Sequence, residues 1–253
     1  MSLSEINQKI EQAKPLDFGI IFSQSIELFK KIWQQGLVIM LLMVAIILPF
    51  YFIIYVPFLM LGVDRDALNS TQEMNPILLI LVGLFFLLFV IIASAASLGF
   101  QAAFYRICKQ KDLGEVAKDD YFYFFRKPYF KKLIQLSLAI TGISFLCGLL
   151  CALPLIYAMV PLSFISVVFA FNPDLSVSEL VKVSFKLGNK KWLLTFGLLI
   201  VCGILAELLG LLMCFVGLFV TASFAYLPLY IIYKEVIGFE NLEDDSILIE
   251  TQP

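Results

Sequence analysis

The chain has 253 residues, 61% of them hydrophobic and 15% charged, with a mean hydropathy of +0.94 and a net charge of −2. Soluble domains carry about 45–50% apolar and about 25% charged residues, so this composition belongs to a protein solvated mainly by lipid. With no histidine, the common zinc and non-haem iron sites, the Ser-His and Cys-His nucleophile pairs and imidazole pH switches are excluded; no cofactor is expected, and the near-neutral charge argues against nucleic acid as a partner.

Residues 1–16 are polar and lack the apolar core and small-residue cleavage site of a signal peptide, so they read as a retained N-terminal cytoplasmic segment. A charge-free run from Ile32 to Val63 predicts a first span over about 35–62, with Pro49 and Pro57 expected to kink it. The polar stretch Asp64–Asn75 follows, then a second span over 76–105 that ends at Arg106. Arg106–Lys132 is strongly charged. Leu133–Pro173 is uncharged and long enough for two spans, 133–152 and 155–171, turning at Leu153-Pro154. After the basic stretch Asp174–Lys191, two further spans are expected over 192–209 and 212–233, turning near Gly210. The membrane domain is thus 17–235, and 236–253 is an acidic tail. The fold class is all-α: a polytopic membrane protein with six transmembrane helices as three hairpins and amphipathic interfacial helices. Continuous apolar runs exclude an outer-membrane barrel, whose strands alternate over about ten residues.

Of the 18 Lys and Arg, Arg65 alone falls on one side of the six spans. The positive-inside rule therefore predicts cytoplasmic termini and a bacterial inner-membrane location. The five cysteines, Cys108, Cys147, Cys151, Cys202 and Cys214, lie in or beside apolar runs with no CxxC spacing and read as small packing residues. Cys147 and Cys151 share a helix face, which leaves a reactive pair open.

Ser25-x-x-Leu28-x-x-Lys31-x-Trp33 recurs as Ser184-x-x-Leu187-x-x-Lys190-x-Trp192, and these are the chain's only two tryptophans. Asp17 and Ser176 stand at matching helix N-cap positions, and Ser176-x-x-Glu179 spells a capping box. Both copies place apolar residues on one helical face and Lys or Glu on the other, as a helix in the headgroup layer does. Asp120–Lys132 has the same aromatic and basic chemistry with its register broken by Pro128, and reads as a degenerate third copy.

These features, together with the terminal Tyr-Leu-Pro-Leu-Tyr-Ile-Ile-Tyr-Lys-Glu235, make Asp17–Glu235 similar to a loose group of bacterial multi-hairpin membrane proteins. The group includes the membrane domain of some glycerophosphodiester phosphodiesterases. The resemblance implies the architecture only. Those enzymes carry catalysis on a separate soluble barrel, which has no counterpart after Glu235. Relatives labelled carotenoid oxygenases would need four histidines for iron.

Glu207 is the one ionisable residue well inside an apolar run, and such residues are functional candidates because burying a charge in a bilayer is costly. Two readings stand open: a wet carboxylate near the hairpin turn, or a proton or substrate site with Ser94, Ser97 and Gln101 of the second span. Small residues at every fourth position, Ala95-Gly99-Ala103 and Gly217-Thr221-Ala225, with Ser144 and Gly148, predict three helix faces that meet in the bundle core. Lys31, Trp33, Arg126, Lys127, Lys131, Lys132, Lys190 and Trp192 are the candidate lipid-headgroup contacts. Asp119, Asp120 and Glu115 show no catalytic spacing. The expected function is non-catalytic: a scaffold or accessory subunit that organises membrane lipids, a membrane protein partner or a homo-oligomer. The alternative is a small transporter using Glu207 and the polar face of the second helix.

Overall fold

A computed structural model describes residues 1–60, 76–115, 117–150, 153–214 and 216–239. The stretch Asp64–Asn75, Cys151 with its possible pairing to Cys147, and the tail from residue 240 lie outside the described residues. Among the described residues there are α-helices and short 3-10 turns and no strand. The helices are α1 Leu3–Glu11, α2 Phe18–Met60, α3 Pro76–Asp112, α4 Lys127–Leu149, α5 Leu153–Phe171, α6 Val177–Lys190, α7 Trp192–Leu212, α8 Val216–Thr221 and α9 Leu227–Val236. Six stretches are long and apolar enough to cross a membrane: Phe18–Ile53, Gly83–Asp112, Lys127–Leu149, Pro154–Phe171, Trp192–Leu212 and Val216–Val236. The protein is an all-α polytopic membrane protein, and successive spans pack as pairs, α2 on α3, α4 on α5 and α7 on α8.

The helix starts follow from local chemistry. Asp17 accepts the Ile20 amide at 2.9 Å and opens α2. Ser176 and Glu179 form the reciprocal capping box of α6, and Ser2 with Glu5 does the same for α1, a signal the sequence reading passed over. The amphipathic segment and the first span are one 43-residue helix, about 64 Å long at about 1.5 Å per residue. Its buried stripe, Ile21, Ser25, Leu28, Ile32, Gly36 and Ile39, runs through the junction without a break. In the second copy the helix breaks at Lys191, where φ is −119° and ψ 25°. The first copy has buried Ile32 at the matching place. Lys191 instead sends its ammonium to the Lys14 carbonyl.

The expected third copy takes a different form. Asp120 accepts the Phe122 amide, Tyr123–Phe125 is a 3-10 turn, and Pro128 sits in the first turn of α4, where a missing N–H costs nothing. The last hairpin also turns later than Gly210. α7 runs to Leu212 and the chain reverses through Cys214, a non-glycine residue at φ 55°. Gly210 is a contact point instead: a Cβ there would lie 2.8 Å from Leu218 Cα.

Prolines inside spans reshape the backbone. α2 stays helical across Pro49 and Pro57. Pro161 in α5 has no N–H to give the Tyr157 carbonyl, and the Trp192 indole N–H supplies that bond at 3.0 Å. Gly188 of α6 lets the two helices meet there, since a Cβ would fall 2.7 Å from Pro161 Cα. Pro228 leaves the Phe224 carbonyl without its helical donor. The Leu227 amide takes it in 3-10 geometry, and the last span accordingly passes through a 3-10 segment, Ala222–Tyr226, between α8 and α9. Gly36 of α2 crosses this segment so closely that a Cβ would lie 2.6 Å from Ser223 Cβ.

The three small-residue faces do not meet one another. Gly217 and Thr221 pack on α7, with the Thr221 hydroxyl donating to the Ala206 carbonyl at 2.6 Å. Gly99 is covered by Phe125 and Leu133, and Gly148 has open space where a Cβ would be. Only the Gly217 face is filled from within its own hairpin; Gly99 is covered from the next connection and helix, and Gly148 from nowhere in the described residues.

Candidate functional site

Helical periodicity alone puts Ser94, Ser97 and Gln101 on one face of α3, and Leu199, Ile200, Gly203, Ile204 and Glu207 on one stripe of α7. The opposite stripe of α7, Thr195, Leu198, Cys202, Ala206 and Gly210, is buried in the bundle. The tertiary fold turns both polar faces toward the same space. They line a cavity of about 620 Å³, together with Ile140 of α4, Ser163 and Ser166 of α5 and Tyr226 of the 3-10 segment. All four polar residues singled out in the sequence, from two hairpins distant in the chain, are therefore on one cavity wall.

Depth follows from helix rise. Gln101 lies about 7 Å inward from Arg106 and Ser94 about 18 Å, at about 1.5 Å per residue. Glu207 lies about 22 Å from Trp192 by the same measure. The cavity thus spans much of the thickness of the hydrocarbon, about 30 Å. Glu207 is more than a turn short of the end of α7, on the cavity stripe and exposed, so it is not a residue of the hairpin turn itself.

The cavity's hydrogen-bonding character is set by how its hydroxyls are already used. Ser163 donates to the Val160 carbonyl at 2.8 Å and Ser166 to the Ser163 carbonyl at 3.1 Å, so each spends its proton on its own helix and keeps lone pairs. Gln101 Nε2 donates to Ser97 Oγ at 2.9 Å. The Tyr226 carbonyl accepts from buried Tyr105 Oη at 3.2 Å. Glu207 is the only carboxyl group among the described lining residues, and none of them is a lysine or arginine.

The eight candidate headgroup residues separate into two groups. Lys31, Lys127, Lys131 and Lys190 are exposed, as is Trp33 at 40%. The others are engaged within the protein. Arg126 pairs with Asp120 at 2.7 Å, and Lys132 donates to the Pro173 carbonyl. Trp192 bonds the Tyr157 carbonyl and stacks on Phe196 at 4.8 Å. Sequence reasoning missed the Lys132 and Trp192 roles because their partners, Pro173 and Tyr157, are backbone carbonyls more than thirty residues away in the chain.

The same end holds a network it also missed. Arg106 lies 3.4 Å above the Tyr123 ring, and Asp112 accepts from Lys234 at 2.6 Å and Tyr230 at 2.9 Å. Asn172 donates to Tyr233 at 2.7 Å. Asp119 pairs with Lys111 at 3.2 Å and accepts from Gln35. Burial, and then the neighbouring Lys190, push the Lys191 ammonium below the ordinary lysine value. No group of three or more metal-binding side chains exists among the described residues. Comparison with protein-family models, curated proteins and solved structures finds no match to this chain.

Proposed function

We propose that this membrane protein is a small carrier that binds its substrate in an open cleft between the helices, at Glu207, Ser94, Ser97 and Gln101, and moves it across the bilayer. One observation carries the reading: polar residues on two separate hairpins converge on one cavity of about 620 Å³ at membrane depth. Intramembrane polar groups are expensive, and ones that face a shared cavity mark substrate pathways. The lysine and arginine bias supports a bacterial cytoplasmic membrane with the cation-rich end and both termini inside. The role is non-catalytic: Asp119 and Asp120 are held by Lys111 and Arg126, which leaves them in structural pairs. Origin by duplication is supported by matching environments, since Ser25 and Ser184 are both buried and both donate to the carbonyl four residues earlier at 2.8 Å.

A scaffold that gathers lipid or a partner protein is the second reading, favoured by the exposed Lys31, Trp33, Lys127, Lys131 and Lys190 at the headgroup level. Proteoliposome flux separates the two. Across a panel of labelled organic cations with long-chain amines included, amino acids and sugars, the carrier is expected to move at least one, and Glu207→Gln to abolish that flux. Gly203→Leu provides a second block, because a Cβ at Gly203 meets open space in the cavity. Absence of flux for the whole panel would overturn the carrier and leave the scaffold.

A further inference from the structure

A second hollow of about 1000 Å³ lies between α3 and α4, lined by Gly83, Phe86, Leu87, Leu138, Gly142 and Phe145 among others. Its walls are almost wholly apolar. Ser94 and Ile140 line both this groove and the polar cavity, so the two spaces adjoin. A hydrocarbon groove continuous with a polar chamber has the shape of an amphiphile, with a place for a chain and a place for a head. The chamber decides the sign of the head. It offers one carboxyl group, at Glu207, no lysine or arginine, and the oxygens of Ser163 and Ser166, whose protons are committed to backbone carbonyls. An ammonium with three donors finds acceptors at Glu207, Ser163 and Ser166, whereas an anionic head finds no lysine or arginine to pair with.

From this geometry we infer that the substrate of the proposed carrier is a long-chain amphiphile with an ammonium head, its head beside Glu207 and its chain in the α3–α4 groove. The inference rests on the carrier reading for the cavity and adds the groove and the charge. The glycines make it testable. Gly142 and Gly83 both line the groove and a Cβ at either meets nothing within 4 Å, so there is room there for a larger side chain to begin filling it.

Binding is measured on the intact protein in non-ionic detergent by native mass spectrometry, with three probes: hexadecylamine, palmitate and ethylamine. Hexadecylamine is expected to bind at least about tenfold tighter than palmitate, which shares its chain and its partition into micelles. Gly142→Trp is expected to weaken hexadecylamine about tenfold and leave ethylamine unchanged. Gly83→Phe, on the other helix, should do the same, which guards against one variant failing to fold. Glu207→Gln should weaken both amines. If groove-filling variants leave hexadecylamine unaffected while Glu207→Gln still weakens both amines, the amphiphile is overturned and the cavity stands as a site for small cations. Palmitate binding as tightly as hexadecylamine overturns the choice of head. If no amine responds to Glu207→Gln or Gly203→Leu, the cavity reading fails with it.

Discussion

At the scale of single residues, several side chains do work that their type does not advertise. Trp192 has the position of an interfacial anchor, yet its indole N–H replaces the donor that Pro161 removes from α5. Trp192→Phe keeps the ring stack and deletes the bond, so it is expected to destabilise the fold by about 1 kcal/mol, read as a lower unfolding midpoint in detergent. Trp33→Phe, in the other copy, should shift it less. Charged caps act with a definite pH dependence. The Lys186 ammonium, 2.6 Å from Glu11 and hydrogen-bonded to it, holds that carboxyl below the ordinary carboxylate value, and hydrogen bonds from Ser176 do the same for Glu179. A depressed native value means stabilisation that is complete above the unfolded pKa and lost as pH falls through the native one. Hydrogen-exchange protection factors in α1 and the first turn of α6 should therefore be unchanged between pH 7 and about pH 5 and fall below about pH 4. Glu11→Gln should remove much of that acid response in α1.

Among the elements, close approach at glycine organises the bundle more than polarity does. α2 meets the last span at Gly36, where any Cβ collides with Ser223, and α6 meets α5 at Gly188 against Pro161. Membrane helices gain from such contacts because lipid offers no hydrophobic drive for association, so dispersion at short range carries the packing. Gly36→Ala is expected to cost about 1–3 kcal/mol by overpacking, and Ser223→Gly in the same chain to recover most of it. A thermal-unfolding double-mutant cycle measures the recovery; additive losses would show that the two residues do not share a contact. The small-residue motifs were legible as packing faces. Their partners were not, since Gly99 lies under Phe125 and Gly217 against Gly210.

For the whole molecule, the distribution of cations proposes one orientation. In a chain whose five native cysteines are replaced by alanine, a cysteine introduced at Lys118, an exposed position between α3 and α4, is expected to react with impermeant thiol reagents only after the membrane is opened. Labelling in intact cells would invert the topology. Length and hydropathy determined six membrane-spanning helices, and capping residues marked helix starts at Asp17 and Ser176, because each is settled by interactions within a few residues and by a solvent that forbids unsatisfied backbone. Periodicity likewise put Ser94, Ser97 and Gln101 on one face of α3 and made Glu207 conspicuous. The tertiary structure alone decided that these faces share a cavity, that the cavity adjoins an apolar groove, and that Lys132 and Trp192 bond to distant carbonyls. Such outcomes depend on how helices cross, and crossing is selected by the summed fit of glycines, prolines and aromatic rings from segments far apart in the chain, for which no local pattern exists.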